Sequence, residues 1–224
     1  MAPSSAAVNA GSALPTEFAV FPLSGALLLP HGKMPLNVFE PRYMRMVDDA
    51  LASNRVIGMI QEDEIRPSTP SGPALYRVGC LGRLSSFSET DDGRYLITLT
   101  GLTRFWVQVE LELHRGYRRV RADLSRYAAD LQEPESSEID RERLLTALRG
   151  YFQARGFDAN WDAIDAMPDG DLVRTLSMIC PFEPPEKQAL LEATAQPDQA
   201  DTLITLLEMG MHDIEVDPPT RRAT

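Results

Sequence analysis

The segment LNVFEPRYMRMVDDAL, residues 36–51, brings together side chains that could form a binding site. Glu40 and Arg42 flank Pro41, and an aromatic residue stands on either side of this trio. The same residues also suit the joint between a strand and a helix. Pro41 fits the first helical position, and Glu40 puts negative charge at the positive end of the helix dipole. We expect this joining role to account for Glu40 and Pro41, with partner contacts secondary.

Cysteine and histidine give no pattern typical of a reactive centre. Cys80 and Cys180 lie far apart without metal-type spacing, as expected for buried free thiols in a reducing cytoplasm. The three histidines, His31, His114 and His212, are scattered and have no partner at ligand spacing. The sequence also lacks the G-x-S-x-G motif of a serine nucleophile. We therefore predict no catalytic residue, no metal site and no cofactor.

Nucleotide hydrolysis is not indicated either. A phosphate-binding loop needs G-x-x-x-x-G-K-[ST], in which backbone amides cradle the phosphates. The Gly32-Lys33 pair has Leu27 where the first glycine should stand and Met34 where Ser or Thr should follow. These 224 residues are thus predicted to bind a partner rather than to carry out chemistry.

Composition limits the classes of partner. The chain has 224 residues, 43% hydrophobic, as in water-soluble globular proteins, and a formal net charge of −11. That charge disfavours nucleic acid or an anionic membrane as the main partner. No stretch approaches the ~18 consecutive apolar residues that a membrane helix needs. Residues 1–16 carry no signal-peptide pattern and are predicted to form a disordered leader, so we expect a cytoplasmic protein.

Residues 17–131 show strand patterns. Glycines 79 and 82 interrupt a long extended stretch and could mark a bend or bulge. The Asp91-Asp92-Gly93 sequence then tolerates the positive φ of a hairpin turn. Beyond it, apolar and polar residues alternate with period two over three segments, 95–100, 105–114 and 120–124. This pattern predicts an antiparallel sheet curled into a barrel of about six strands, with one inserted helix starting at Pro41.

Residues 132–214 show helical patterns instead. Leu144, Leu148 and Tyr151 repeat at helical spacing, and three further patterns start near Asp169, Pro184 and Pro197. Four helices with short connections predict a small C-terminal helical bundle. Residues 215–224 are predicted to be a flexible tail. The expected fold class is therefore α+β.

Four segments in this order resemble the substrate-binding N-terminal domain of the Lon protease family. They are FPLSGALLLPHGKMPLNVFEPRYMRMVDDAL (21–51), LYRVGCLGRL (75–84), DGRYLITLTGLTRFWV (92–107) and CPFEPPEKQALLEA (180–193). The resemblance spans roughly residues 17–213. It implies a PUA-like β-barrel followed by a helical bundle.

The resemblance also implies a function. In full-length members this domain helps to recognise unfolded or tagged proteins, while AAA+ and protease domains carry the chemistry. The family's Ser–Lys dyad has no counterpart here, since the two lysines, Lys33 and Lys187, lie in stretches that match the binding domain. We therefore expect a polypeptide-binding module without ATPase or protease parts. The alternatives are an RNA-binding PUA-like module and an accessory factor that docks on a full-length AAA+ protease.

The candidate site residues follow from this expectation. Exposed aromatic and methionine side chains suit unfolded polypeptide, because they offer adaptable apolar area. The candidates for peptide binding are Phe39, Arg42, Met44 and Trp106, with Met34 nearby, and the groove between barrel and bundle is the expected location. Glu40 and Arg104 are predicted to pair as a structural clamp.

An arginine cluster is the feature that favours the RNA alternative. Arg115, Arg118, Arg119 and Arg121 surround a Gly-Tyr pair in a predicted hairpin, and PUA-like folds often bind RNA. Protection of an exposed edge strand by charge explains the same cluster without a ligand.

Overall fold

A computed structural model describes residues 14–132 and 138–212. Most of the predicted leader, residues 133–137 and 213–214 of the predicted helical part, and the whole predicted tail lie outside these residues. Two described residues of the predicted leader contact the fold: Leu14 packs on the core, and the Thr16 carbonyl accepts a hydrogen bond from the Ala122 amide.

The described residues form an α+β fold with strands first and helices second. The first part contains β1 Glu17–Pro22, β2 Lys33–Val38, α1 Pro41–Leu51, β3 Val56–Ile60, β4 Val78–Glu89, β5 Tyr95–His114, β6 Tyr117–Asp123 and a 3-10 helix Ser125–Leu131. The second part contains α2 Arg141–Arg155, α3 Trp161–Asp165, α4 Asp169–Ile179, α5 Pro184–Glu192 and α6 Gln196–His212. The 3-10 helix and α3 were not predicted, because each is short and carries no long apolar period.

Hydrogen-bonded strand pairs form a closed circuit. The sheet order is β2-β5-β4-β3-β1-β6, and β6 pairs again with β5. The sheet was predicted to be antiparallel throughout. That prediction is wrong for one pair, because β1 and β3 run parallel, with Val20 opposite Gly58. Parallel neighbours need a long crossover, and here β2 and α1 supply it.

The longest strand corrects a second expectation. Segments 95–100 and 105–114 were predicted as separate strands, but they form the single 20-residue β5. Two features of its hairpin with β4 were predicted correctly. Gly93 takes a positive φ of 78° in the turn, and the pairing register shifts between Leu81 and Gly82. The long strand lets β5 pair with β4 on one side and with both β2 and β6 on the other.

Two apolar clusters hold the fold together. One lies inside the strand circuit, where the Phe18 and Phe105 rings meet edge-on at 5.0 Å between centroids. The larger cluster joins the outer surface of the sheet, α1 and the C-terminal helices. It includes Leu27 and Leu28 before β2 and Leu144 and Leu148 in α2. Strands and helices therefore share one continuous core.

A salt bridge between buried groups fastens the helical part to the sheet. Arg104 in β5 donates hydrogen bonds from Nε and Nη2 to both carboxylate oxygens of Asp130, at 2.9 and 2.8 Å. Its Nη1 donates to the carbonyl oxygens of Leu191 and Ala193, at the C-terminal end of α5. A cation at this end satisfies carbonyls that have no partner within the helix. Arg104 thus links β5, the 3-10 helix and α5.

The predicted Glu40–Arg104 pair is wrong. The Glu40 carboxylate accepts from Arg42 Nε at 2.9 Å, two residues along the chain, while Arg104 is bonded to Asp130. Arg104 does clamp helix to sheet, but its partners lie on the 3-10 helix and α5. Because Arg42 lies two residues from Glu40 and binds its carboxylate, that carboxylate needs no cation from a distant part of the chain.

Two buried amide side chains make a second fastening of α5. Gln61, after β3, donates from Nε2 to the Pro184 carbonyl at 3.0 Å and to Gln188 Oε1 at 3.2 Å. Gln188 Nε2 donates in turn to the Val78 carbonyl at 3.1 Å. Gln61 and Gln188 are 1% and 4% exposed, so water cannot reach their polar atoms. These hydrogen bonds satisfy the buried amide groups instead.

Replacing Gln188 with Leu is expected to lower the free energy of unfolding by about 1–3 kcal/mol, because the Val78 carbonyl loses its side-chain donor and Gln61 Nε2 loses one of its two acceptors while buried. Urea denaturation followed by circular dichroism measures the loss. Gln153→Leu, the same change on the exposed side of α2, should leave the midpoint nearly unchanged. Equal midpoints for both variants would contradict a fastening role for Gln188.

Replacing Arg104 with Leu is expected to cost about 3 kcal/mol of unfolding free energy, because Asp130, with a side chain only 9% exposed, would keep its charge without a cation and with only the amide of residue 104 as donor. Arg143→Leu breaks a similar two-bond pair with Glu208 whose side chains are 49% and 37% exposed, and it should cost much less. Urea midpoints compare the two. A similar decrease in unfolding free energy in both variants would contradict the larger contribution expected from Arg104.

Candidate binding site

The strand-to-helix joint quoted at the start lies on a cleft. The cleft has a volume of about 350 Å³ and is lined by residues 21–24, 36–40, 42, 43 and 62, which we call the FEPRY cleft. Its position follows from the sheet. Because β1 and β3 are parallel, their C-terminal ends lie side by side, which brings Pro22 and Glu62 close together. The end of β2 and the start of α1 supply the opposite wall.

Phe39 is the most exposed aromatic side chain at this cleft, with 63% of its surface accessible. Val38 ends β2 and Pro41 begins α1, so Phe39 lies in the two-residue joint between them. Neither element buries its ring. Single exposed apolar side chains are common, but this ring stands beside a concave site and offers apolar area that a partner can cover.

Stacked rings form the floor of the FEPRY cleft. The ring centroids of Phe21 and Tyr43 are 4.2 Å apart, and both side chains are buried. The guanidinium of Arg42 lies over Tyr43, 4.5 Å from its ring centroid. Burial raises the pKa of Tyr43, so its phenol stays neutral at physiological pH. The floor is therefore apolar and uncharged.

Charges line the rim of the cleft. Arg42 and Glu40 form a half-exposed salt bridge at 2.9 Å, and the Ser24 hydroxyl donates to Glu62 at 3.4 Å. The rim thus carries two carboxylates and one guanidinium. This balance gives the rim a net negative charge.

A second cleft lies between the sheet and the C-terminal helices, where the groove was expected. It has a volume of about 320 Å³ and is lined by residues 29–31, 104, 129, 130, 132, 170, 174, 191, 193–196 and 199. The Arg104–Asp130 pair forms part of its wall, and Arg174 on the opposite side is bonded to Asp171 at 2.6 Å. Its lining is mixed, with the hydrogen-bonded Arg104–Asp130 pair beside apolar residues such as Leu29 and Leu191. No Phe, Tyr or Trp side chain lines it, whereas the FEPRY cleft is lined by Phe21, Phe39 and Tyr43.

The predicted peptide-binding residues do not all come together. Phe39 and Arg42 line the FEPRY cleft. Met44 is half-buried against the larger core, as is Met34. Trp106 lines neither cleft and packs on the same core, with the Arg126 guanidinium 4.6 Å from its ring centroid. The residues that sequence reasoning missed, Phe21, Leu36 and Glu62, could have been found only if the parallel β1–β3 pairing had been recognised.

Carboxylates neutralise the arginine cluster that favoured RNA. Arg118, 6% exposed, donates to both oxygens of Glu110 at 2.7 and 2.8 Å, and Arg121 donates to Glu17 at 2.7 Å. Arg115 is bonded to Asp49 of α1 at 2.5 Å. The strand that carries three of these arginines, β6, is not an edge strand, because it pairs with both β1 and β5. These arginines fasten the hairpin in place instead of presenting a free basic surface.

The thiols and the buried lysine lack the features of a nucleophile. Cys80 and Cys180 are 1% and 2% exposed, and burial raises the pKa of both thiols, that of Cys180 to about 11. Burial lowers the pKa of Lys187, whose ammonium donates to the Met178 carbonyl at 3.1 Å. Among residues 14–132 and 138–212, no group of three or more His, Cys, Asp or Glu side chains could hold a metal ion. Over the same residues, no helix has the length and apolar character needed to cross a membrane.

Similar proteins all point to one family. The model of the ATP-dependent protease La (LON) substrate-binding domain matches residues 17–209. Lon protease 2 of Myxococcus xanthus is 27% identical over 127 residues, which are 57% of this chain and 15% of the relative. The Lon protease of Heliobacterium modesticaldum is 22% identical over 209 residues, which are 90% of this chain and 25% of the relative. The chain therefore spans a quarter or less of the length of these relatives.

Solved structures show the same fold. The Lon N-terminal domain protein from Xanthomonas campestris has a TM-score of 0.59 and 20% identity, over 85% of this chain and 98% of that one. The N-terminal domain of the Mycobacterium avium complex Lon protease has a TM-score of 0.55 and 16% identity, over 88% of this chain and 98% of that one. Taken with the family model, which covers most of the chain, these matches confirm the resemblance seen in the sequence: the chain belongs to the family of the Lon protease substrate-binding domain.

Proposed function

We propose that this chain acts as a non-catalytic polypeptide-binding module whose FEPRY cleft holds apolar side chains of unfolded protein. The observation that carries the proposal is the exposed Phe39 ring beside an apolar cleft floor, in a chain of a substrate-binding family. Phe39 and the floor together offer a partly preformed pocket. Burying an apolar side chain there needs no particular sequence in the ligand, as recognition of unfolded protein requires.

Arg42 contributes to the same site in this proposal. Its guanidinium is held by Glu40 and by the Tyr43 ring, so it can contact a bound chain without a large loss of side-chain freedom. Met44 and Trp106, packed on the core, act as support for the fold instead of as contacts.

The proposal extends to the architecture. The closed strand circuit supports a PUA-like barrel, and α6, which packs against α2, α4 and α5, supports a small helical bundle. The relatives are Lon proteases, so an AAA+ protease, whether in the same polypeptide or as a docked partner in the cytoplasm, is the machine to which a captured polypeptide would pass. RNA has no comparable support, because the hairpin arginines are paired with carboxylates.

Replacing Phe39 with Ser is expected to weaken the binding of fluorescein-labelled casein, an unfolded polypeptide, at least about tenfold, because the ligand loses an apolar surface worth about 1.5–3 kcal/mol. Fluorescence anisotropy measures the dissociation constant. The matched control is Ile179→Ser, since Ile179 is 65% exposed and lies outside the cleft, and its affinity should be unchanged.

Two outcomes would contradict the proposal. One is an affinity for casein that is lost equally in both variants or is absent in the parent protein. The other is displacement of casein by polyuridylic acid at low salt, which would favour RNA as the ligand.

A further inference from the structure

One edge of β2 is open. In the sheet order β2 stands at the end, and among the described residues its strand partner is β5 alone, from Lys33 opposite Thr100 to Val38 opposite Tyr95. The second half of this strand and the joint after it, residues 36–39, line the FEPRY cleft together with residues 21–24. The open edge and the cleft are therefore parts of one surface.

Hydrogen bonds of β5 reveal which backbone groups of β2 face this edge. The Gly101 carbonyl accepts from the His31 amide at 2.9 Å and the Gly101 amide donates to Gly32 at 2.8 Å, so Gly101 points toward the β2 side. The Thr98 carbonyl accepts from the Ser85 hydroxyl of β4 at 3.1 Å, so Thr98 points the other way. In an antiparallel strand both backbone groups of a residue point to one side, and the side alternates along the chain.

The β2 residue opposite Thr98 consequently faces away from β5. That residue is Pro35, which has no N–H to give to a ladder and is tolerated at such an edge. By the same alternation Asn37 also directs its N–H and carbonyl outward. Outside the β2–β5 ladder, no hydrogen bond within the described residues reaches the backbone of Pro35 or Asn37. The edge thus offers a carbonyl, an amide and a second carbonyl at strand spacing.

The side chains next to this edge suit one kind of occupant. A strand added at about 4.8 Å from β2 would lie over the cleft and place every second side chain on the face of Leu36 and Val38. The cleft floor of Phe21 and Tyr43 suits a large apolar group on that face. The rim carries two carboxylates, Glu40 and Glu62, and one guanidinium, that of Arg42, and the whole chain carries a net charge of −11. A lysine or arginine next to the apolar residue complements this charge.

We propose that the captured polypeptide binds as an added strand along β2, pairing with the outward groups of Pro35 and Asn37. It places a large apolar side chain in the FEPRY cleft and a neighbouring basic side chain near Glu62. The inference rests on the proposed function and deepens it, since it specifies the bound conformation and the class of sequence selected. Main-chain bonds would give affinity for many sequences, while the cleft selects alternate side chains.

The first test changes the edge. Asn37→Pro removes the outward N–H without removing a ladder bond, and the preceding Leu36 is already extended, as a residue before proline must be. The matched control, Asn37→Ala, keeps the N–H. A labelled peptide with a central phenylalanine between lysines should bind Asn37→Pro at least about tenfold more weakly than Asn37→Ala, since both variants lack the Asn37 side chain and only the proline lacks the N–H. Equal affinities for the two variants would overturn the inference.

The second test changes only the ligand, so a folding defect of Asn37→Pro cannot obscure the result. Two versions of the same peptide are N-methylated at alternate residues, one at the odd and one at the even positions. A bound strand points alternate amides at β2, so one version should lose at least about tenfold in affinity while the other keeps it. Equal binding of both versions would overturn strand addition.

The controls distinguish this inference from the proposed function. Casein binding that does not depend on Phe39, or that is absent in the parent protein, would refute both. Intact casein binding together with insensitivity to Asn37→Pro and to N-methylation would refute strand addition alone. Gel filtration would show whether a second copy of the chain occupies the edge. An Asn37-dependent dimer whose peptide affinity is unaffected would also overturn the inference.

Discussion

The bond between Arg104 and Asp130 is the constraint on which the arrangement of strands and helices depends. Both groups are largely removed from water, and charges buried this way are tolerated only when every donor and acceptor finds a partner. Arg104 meets this demand with the Asp130 carboxylate and the two carbonyls at the end of α5. The requirement fixes the distance and orientation of α5 relative to β5 more narrowly than apolar packing alone, because hydrogen bonds are directional. The Gln61–Gln188 contact repeats the same device at the start of α5.

The position of the FEPRY cleft follows from the chain path through the sheet. The parallel pairing of β1 with β3 places the C-terminal ends of both strands side by side, where they form one wall of the cleft. The β2–α1 joint forms the other wall. The β2–α1 joint thus lies between regular elements, and these leave the Phe39 ring exposed. The fastening of α5 reaches close to this cleft, because Gln188 is bonded to Gln61, whose Oε1 accepts from the Gly25 amide next to Ser24 of the cleft wall. The structural polar network and the proposed binding surface therefore adjoin each other on one scaffold.

The parts of this structure that sequence predicted correctly are those with local causes. Proline at the first helical position, the Asp-Asp-Gly turn and the alternation along β5 each depend on residues close in the chain, so the helix, the hairpin and the strands could be inferred. The partner of Arg104 could not. Asp130 lies 26 residues away in a 3-10 helix without apolar periodicity, and no spacing rule connects the two. The parallel pairing of β1 with β3 was missed for a similar reason, and most of the cleft walls were missed with it.

The shared core has a consequence for how the molecule comes apart. One apolar cluster contains Leu27 and Leu28 from the strand part and Leu144, Leu148 and Leu203 from the helices. Separating the strands from the helices would therefore expose apolar surface on both. Strands and helices should consequently unfold in a single cooperative transition, although their sequence patterns suggest two separate units.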